Sequence, residues 1–329
     1  MEYVIVGAGS LGQSFAALLT AAGERVSLLA RPASEARLRA AGAIRLVGAV
    51  TADVPVGPAG ITLTSDASAL PEGAAVIFTT KGQDLPEATK AVRLAANRRV
   101  AWAAGVENGL AKDDVLADVF GVDRVVGAAT IFSAQRQSDG KVRVATTGAT
   151  YLGEFDGRLS DRVQQAATGF QAAGIPTSAR SDIQSVLWSK ACNATGVFGV
   201  AVLARVSNQE LVSNPHLMRA YLALVRETAA IAAAYGVEVG DYEGFPPIRK
   251  YVDRSDKATI DQLRPHVNTD PPSYASMTHD VLAGLPLEVD AVFGDIVERA
   301  DRKGVRVPCL RLVRDLIRGI DRGPAGTSH

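Results

Sequence analysis

Four short stretches of this chain hold residue types that can do chemistry. The first is Gly7-Ala8-Gly9-Ser10-Leu11-Gly12, preceded by the apolar run Tyr3-Val4-Ile5-Val6 and followed by an alanine- and leucine-rich segment. In a strand–turn–helix context a G-x-G-x-x-G turn is a dinucleotide signature: Gly7 permits the tight turn, Gly9 lets backbone approach a pyrophosphate, and Gly12 lets helix and strand pack closely. The N–H groups at the helix start, around Ser10, Leu11 and Gly12, then hold phosphate oxygens. A second strand, residues 25–30, ends at Arg31. NAD sites usually place a carboxylate there for the ribose 2′-hydroxyl, whereas a guanidinium suits the 2′-phosphate of NADP. NADP is therefore the expected cofactor. Two readings stay open beside it: Arg31 as an ordinary surface residue, and Glu35 reaching back from the next helix. The other three stretches are Thr79-Thr80-Lys81-Gly82-Gln83, Glu107-Asn108-Gly109-Leu110, and a divided group of Trp188-Ser189-Lys190 with Ser276-Met277-Thr278-His279-Asp280, Glu288 and Asp290.

The elements that must position these residues follow from periodicity. Short β-rich runs at 75–79, 99–102 and 125–128 alternate with helical stretches such as 84–96, the pattern of a doubly wound parallel sheet. The second and third stretches fall after such strands, outside the carboxyl ends where open α/β sheets bind ligands. Runs at 141–144 and 149–153 read as antiparallel strands extending one edge of that sheet, and a helix at 161–173 with the segment 175–179 closes the first domain. From about residue 182 long helical patterns dominate: 183–204, 215–235, 276–283, 288–303 and 309–321, with a shorter piece at 259–262. The expected fold is thus α/β, a Rossmann-type domain over residues 1–182 followed by an all-helical domain over 183–322. The proline-rich stretch 240–273 reads as a loop-rich excursion or lid, and 323–329 as a disordered tail.

Composition narrows the partners. The 329 residues suit two domains, and almost half are apolar. The 35 basic and 35 acidic side chains cancel and are dispersed, so nothing marks a nucleic-acid or anionic-membrane surface. A small-molecule partner is expected. The two cysteines, Cys192 and Cys309, lack metal-ligand spacing and read as thiols of a reducing compartment. His216, His266, His279 and His329 show no metal spacing either, so no metal is expected. The N-terminus has no signal-like pattern and no apolar stretch reads as long enough to span a bilayer, which makes the cytoplasm the default. Glu227, on the 215–235 helix, reads as solvated.

Taken together, these motifs resemble the ketopantoate reductase (2-dehydropantoate 2-reductase) family, over nearly the whole chain. The resemblance implies an NADP-binding Rossmann domain, a helical domain, and reduction of a 2-oxo acid between them, in a protein compatible with a homodimer. Its motifs fall on Gly7, Gly9, Gly12 and Arg31, on Lys81 of a V-K-A-x-Q-like signature, and on Asn108 of an N-G-L-like one. The catalytic lysine of the W-x-K motif falls on Lys190. The S-M-x-x-D…E-x-D signature falls on Ser276, Asp280, Glu288 and Asp290, with Glu288 twelve positions after Ser276 as in the family. Chemistry fits those roles. Hydride addition to a carbonyl leaves charge on oxygen, which a positioned acid such as Lys190 protonates. Glu288 would orient the ammonium and keep it charged. Asn108 and Ser276 carry donors for a substrate carboxylate or hydroxyl. Lys81 either reaches the nicotinamide ribose or caps its strand, and Asp290 caps a helix or supports its neighbours.

Departures bear on the substrate. The family commonly carries asparagine four and eight residues after the lysine, where this chain has Ala194 and Phe198; Asn193 stands one place early, rotated by about 100°. Glu107 replaces an uncharged residue before Asn108, and Leu285 and Leu287 replace polar members of G-R-x-T-E. A site that has lost hydrogen-bonding groups recognises ketopantoate's hydroxyl less strongly. The leading expectation is an NADPH-dependent reductase of ketopantoate or a related 2-oxo acid. The alternatives are a non-catalytic NADP-binding sensor, or a reductase of a different carbonyl.

Overall fold

The computed structural model describes residues 1–94, 100–263 and 272–321. The expected end of the 84–96 helix, the start of the 99–102 strand, part of the 240–273 excursion and the 323–329 tail fall outside the described residues. Two compact units form: Met1–Glu107 with Lys112–Gln184, and Asn108–Ala111 with Ser185–His329.

The first unit runs β1 (Glu2–Val6), α1 (Ser10–Ala21), β2 (Arg25–Leu29), α2 (Pro32–Ala41), β3 (Ala43–Gly48), β4 (Ala52–Pro55), β5 (Thr62–Thr64), β6 (Ala75–Phe78), α3 (Leu85–Leu94), β7 (Trp102–Gly105), α4 (Ala111–Phe120), β8 (Gly127–Thr130), β9 (Ser133–Arg136), β10 (Val142–Thr146), β11 (Thr150–Gly153), α5 (Asp161–Ala172) and β12 (Thr177–Ala179). Five parallel strands order as β5-β2-β1-β6-β7. The chain leaves β1 to one side and returns to β6 on the other, so the carboxyl ends of β1 and β6 form the topological switch point where open sheets take their ligands. Near-continuous burial of β1 and β6 is what a parallel strand covered on both faces requires.

The late strands do not simply extend that sheet. β10 joins β3, β4 and β9 in a separate four-stranded sheet. β11 pairs with β8 and β12, and that trio meets the parallel sheet through a bridge from Ala103 to Val125. The extra sheet gives α1 a second wall, since α1 packs on β1 and β2 and also on β3, β4, β9 and β10. Every residue from Gly12 to Leu19 is consequently buried. The two polar ones are satisfied locally: Gln13 Nε2 donates to Ala8 O at 2.8 Å, and Ser14 Oγ to Ser10 O at 2.8 Å. Phe15 closes this core edge-on against Phe132 and Phe170.

The second unit is helical: α6 (Ile183–Ala204), α7 (Asn208–Ser213), α8 (Pro215–Ala234), α9 (Ile248–Asp253), α10 (Asp256–Leu263), α11 (Ser276–Ala283), a π-helical turn (Asp290–Gly294), α12 (Asp295–Lys303) and α13 (Pro308–Ile320). Contrary to the expectation from sequence, α6 is long and apolar enough to span a bilayer, but 78% of its most apolar eighteen-residue window is buried inside the protein. Its hydropathy is that of a helix surrounded by protein. The 240–273 stretch is also more ordered than expected where described. Helix α9 packs on α8, and Arg226 ties the two together by donating to the carbonyls of Tyr251 and Arg254 while pairing with Asp256.

Glu227 is not a solvated side chain. Its carboxylate accepts from the backbone N–H groups of Cys309 and Leu310, at 3.0 and 2.8 Å, and so caps α13 behind Pro308. A charge-assisted cap of this kind contributes about 1–3 kcal/mol. Glu227→Ala is expected to destabilise the helical unit by that amount, with faster amide exchange at Cys309 and Leu310 as the local readout.

Candidate active site

The glycine turn has the form its sequence requires. Gly7 adopts φ +108° and abuts Thr79, whose hydroxyl donates to Val6 O and Gly7 O across the switch point. A side chain at Gly12 would have its Cβ 1.9 Å from Gly7 O and 2.5 Å from Thr79 Oγ1, whereas one at Gly9 would meet nothing within 4 Å. Gly12 therefore serves packing and Gly9 keeps an open approach. Helix α1 has no side-chain cap and no acidic residue in its first turn. Its leading N–H groups and positive dipole end are thus uncontested, and the residues fit a dinucleotide pyrophosphate.

Beyond the turn, Arg31 is the N-cap residue of α2, and its guanidinium lies 2.7 Å from the Asp84 carboxylate. Glu35 faces elsewhere: Arg39 donates to it at 2.9 and 2.7 Å. Hydrogen bonding from Ser65, then from Arg39, holds its carboxyl below the usual range. Lys81 is the cap residue of the single turn after β6. Next to it, Thr80 Oγ1 donates to Glu107 Oε1 at 2.9 Å, linking the ends of β6 and β7. Glu107 is buried, as are Lys112 and Asp113, which pair at 2.8 Å; Gly105 leaves the room that Glu107 and the Lys112 stem occupy. Sequence reasoning noticed Glu107 but gave no sign of the buried Lys112 pair.

In the helical unit, Gly109 follows Asn108 with φ +87°, and a Cβ there would stand 2.0 Å from Ala291 O. Only glycine lets this segment lie against the π-helical turn that follows Glu288. Asn108 and Glu288, 180 positions apart, are thereby brought to one neighbourhood. π-Helical turns are concentrated at functional sites. Glu288 is buried, Ser276 is exposed at the start of α11, Asp280 is buried, and Asp290 pairs with Arg318 at 2.5 Å. His279 is exposed and its ring meets Tyr274 edge-on.

Lys190 is the only charged residue of α6. Trp188, two positions earlier and so on the opposite side, is buried against Tyr235. Between Val186 and Val202 every residue is buried except Lys190, Asn193 and Val197. Spacings of three and four place these on one line along the helix. Ala194 and Phe198 are both buried, so the accessible side of α6 leans toward Asn193 rather than toward the positions where the family carries asparagine. Among the described residues, no group of three His, Cys, Asp or Glu is arranged to hold a metal.

A parallel sheet with a glycine turn at its switch point, in a chain whose second unit is all-helical, defines a protein of the Rossmann-type dinucleotide-binding class. The family described as ketopantoate reductase PanE/ApbA matches residues 3–157, and its C-terminal counterpart matches residues 182–321. The chain belongs to the ketopantoate reductase family. The 2-dehydropantoate 2-reductase of Archaeoglobus fulgidus is 28% identical over 320 residues, covering 97% of each chain. Among solved structures, the 2-dehydropantoate 2-reductase of Geobacter metallireducens superimposes with a TM-score of 0.81 at 22% identity, over 97% of this chain and 99% of that one. D-mandelate dehydrogenase in its ternary structure with NADH and anilino(oxo)acetate reaches 0.80 at 18% identity, over 97% and 98%. At those identities the superpositions speak to fold alone.

Proposed function

We propose that this protein reduces a small 2-oxo acid with NADPH, ketopantoate being the first substrate to test. The observation that carries the proposal is the accessible line of α6. The single charged side chain of α6, the Lys190 ammonium, stands there one turn from an amide, on a helix otherwise committed to the core. Family membership supplies the context, because relatives matched over nearly their full length are 2-dehydropantoate 2-reductases.

A reduced pyridine nucleotide, when bound, supplies hydride to a carbonyl carbon. This chain's residues do the rest. The N–H groups of Ser10, Leu11 and Gly12 bind the pyrophosphate, with Gly7 shaping the turn and Gly9 leaving the approach clear. Lys81 and Asn108 steady the nicotinamide half. As negative charge grows on the substrate oxygen, Lys190 Nζ donates a proton to it. Glu288 favours the charged ammonium and orients it, and Asn108, Ser276 and Asn193 donate to the substrate's carboxylate and flanking oxygens. A panel of 2-oxo acids with NADPH, followed by loss of nicotinamide absorbance, tests the reading. Turnover of no member of the panel, with nucleotide bound, would favour a nucleotide-binding sensor.

Cofactor choice rests on Arg31. A 2′-phosphate would take two charge-assisted hydrogen bonds from the guanidinium, which Asp84 already engages. Arg31→Ala is expected to lower kcat/KM for NADPH by about 10–100-fold and leave NADH within a few-fold. Asp84→Asn is expected to raise the NADPH/NADH ratio, since it frees the guanidinium and removes a like charge from the phosphate's side. An unchanged ratio in both variants would place the 2′-phosphate elsewhere.

A further inference from the structure

Tyr221, on α8, is buried to 4% exposure, and its hydroxyl donates to Asn193 Oδ1 at 2.9 Å. Its ring reaches α6 only because residue 196 is glycine: a Cβ there would lie 2.7 Å from both Cδ2 and Cε2 of Tyr221. Glycine inside a helix costs about 1 kcal/mol relative to alanine, so its place here indicates a close approach that matters. Tyr251 of α9 packs edge-on against the same ring at 6.2 Å between centroids, and α9 is tied to α8 by Arg226. A helix of the 240–273 stretch thus braces Tyr221.

We propose that Tyr221, admitted by Gly196 and braced by Tyr251, is a positioning residue for substrate recognition: it fixes the Asn193 carboxamide with its NH2 group available on the Lys190 line. The proposal rests on the reductase reading for its substrate class, the oxygen of a 2-oxo or 2-hydroxy acid. An asparagine amide has one acceptor oxygen and two N–H donors. With the oxygen committed to a buried hydroxyl, rotation that would offer it to an anionic ligand costs a hydrogen bond and leaves the phenol unsatisfied. The amide is held as a donor. Burial, followed by the influence of Tyr251 and Cys192, pushes the phenol's ionisation far above its ordinary value, so it stays a donor at working pH. The arrangement offers the substrate a donor from Asn193 where Ala194 and Phe198 have none. Val197, one turn further along the same line, presents an apolar surface to whatever lies beyond that oxygen.

The test is Tyr221→Phe in the full chain, with Asn193→Ala and the double variant. Expected in Tyr221→Phe are a roughly 5–20-fold rise in substrate KM, a kcat within about threefold of wild type, and unchanged NADPH affinity, as loss of one hydrogen bond to a recognition group predicts. In the Asn193→Ala background the same change adds nothing. A drop in melting temperature with substrate KM intact would overturn the proposal by showing a packing role only. Selective 15N-asparagine labelling gives a readout independent of turnover, with the Asn193 side-chain NH2 signals identified by their loss in Asn193→Ala. Those signals should shift with an added 2-hydroxy acid in wild type and much less in Tyr221→Phe. If no 2-oxo acid is turned over but that difference persists, the positioning role stands and the reductase reading fails; equal shifts in both proteins overturn the role.

Discussion

Alanine in place of Lys190 is expected to lower kcat on the true substrate by about 10²–10⁴-fold, the usual worth of a positioned general acid, or roughly 3–5.5 kcal/mol of barrier. The size of the loss follows from what surrounds it on α6. Ser185 donates to Glu238 O. Ser189 donates to Ser185 O and accepts from Gly240 N–H. Both hydroxyls are thus spent anchoring residues 238–240, which lead into the 240–273 excursion. Asn193 is no acid, and Thr195 is buried against Thr228. No other group on this helix is placed to donate a proton in Lys190's stead. Because Lys190 is partly exposed and the helix is held by its buried faces, the variant should melt as wild type does and bind NADPH with unchanged affinity. Nucleotide binding and stability therefore serve as controls within one protein. A variant that keeps wild-type kcat would remove Lys190 from the mechanism and place the proton donor on another residue.

The parts of this architecture that were legible in the sequence are those written in local pattern. The glycine turn, strands β1, β2 and β6 of the parallel sheet and the long helices of the second unit each depend on residues within one or two turns of chain. By contrast β5 went unread, β7 lies beyond the run at 99–102, and the run at 125–128 leads into β8, which pairs antiparallel with β11 outside that sheet. What escaped is non-local. Strands β3 and β10 pair in parallel across about a hundred residues, and nothing in either run says that it belongs to a second sheet rather than to the edge of the first. Glu227 looked like an ordinary surface carboxylate because the N–H groups it caps lie 82 and 83 positions away. Asn108-Gly109 was readable as a motif, but the reason for its glycine, the Ala291 carbonyl, was not. Two glycines inside α6, Gly196 and Gly199, did carry a signal: both sit where a Cβ would strike side chains of α8, Tyr221 in one case and Leu224 in the other. Interior helix glycines of this kind point to a close neighbour, though not to which one.

The last two glycines of the nucleotide turn, Gly9 and Gly12, should separate folding from binding. Alanine at Gly12 must place its Cβ against the Gly7 carbonyl and the Thr79 hydroxyl, which belong to the ends of β1 and β6 and cannot swing aside like the tip of a long side chain. Forcing them apart is expected to cost about 3 kcal/mol, at the upper end of ordinary overpacking, and to lower the melting temperature of the first unit along with its nucleotide affinity. Alanine at Gly9 meets no protein atom within 4 Å and keeps an extended backbone that any residue adopts. That variant should melt as wild type does. Its methyl nevertheless stands over the N–H groups at the start of α1, where the pyrophosphate is expected to rest, and a displaced set of charge-assisted hydrogen bonds predicts about 10–100-fold weaker NADPH binding. Titration of nicotinamide fluorescence, beside a thermal melt, reads both effects. If Gly9→Ala binds NADPH as tightly as wild type, the phosphates do not lie on this turn, and the cofactor assignment made from the first twelve residues fails with the fold intact.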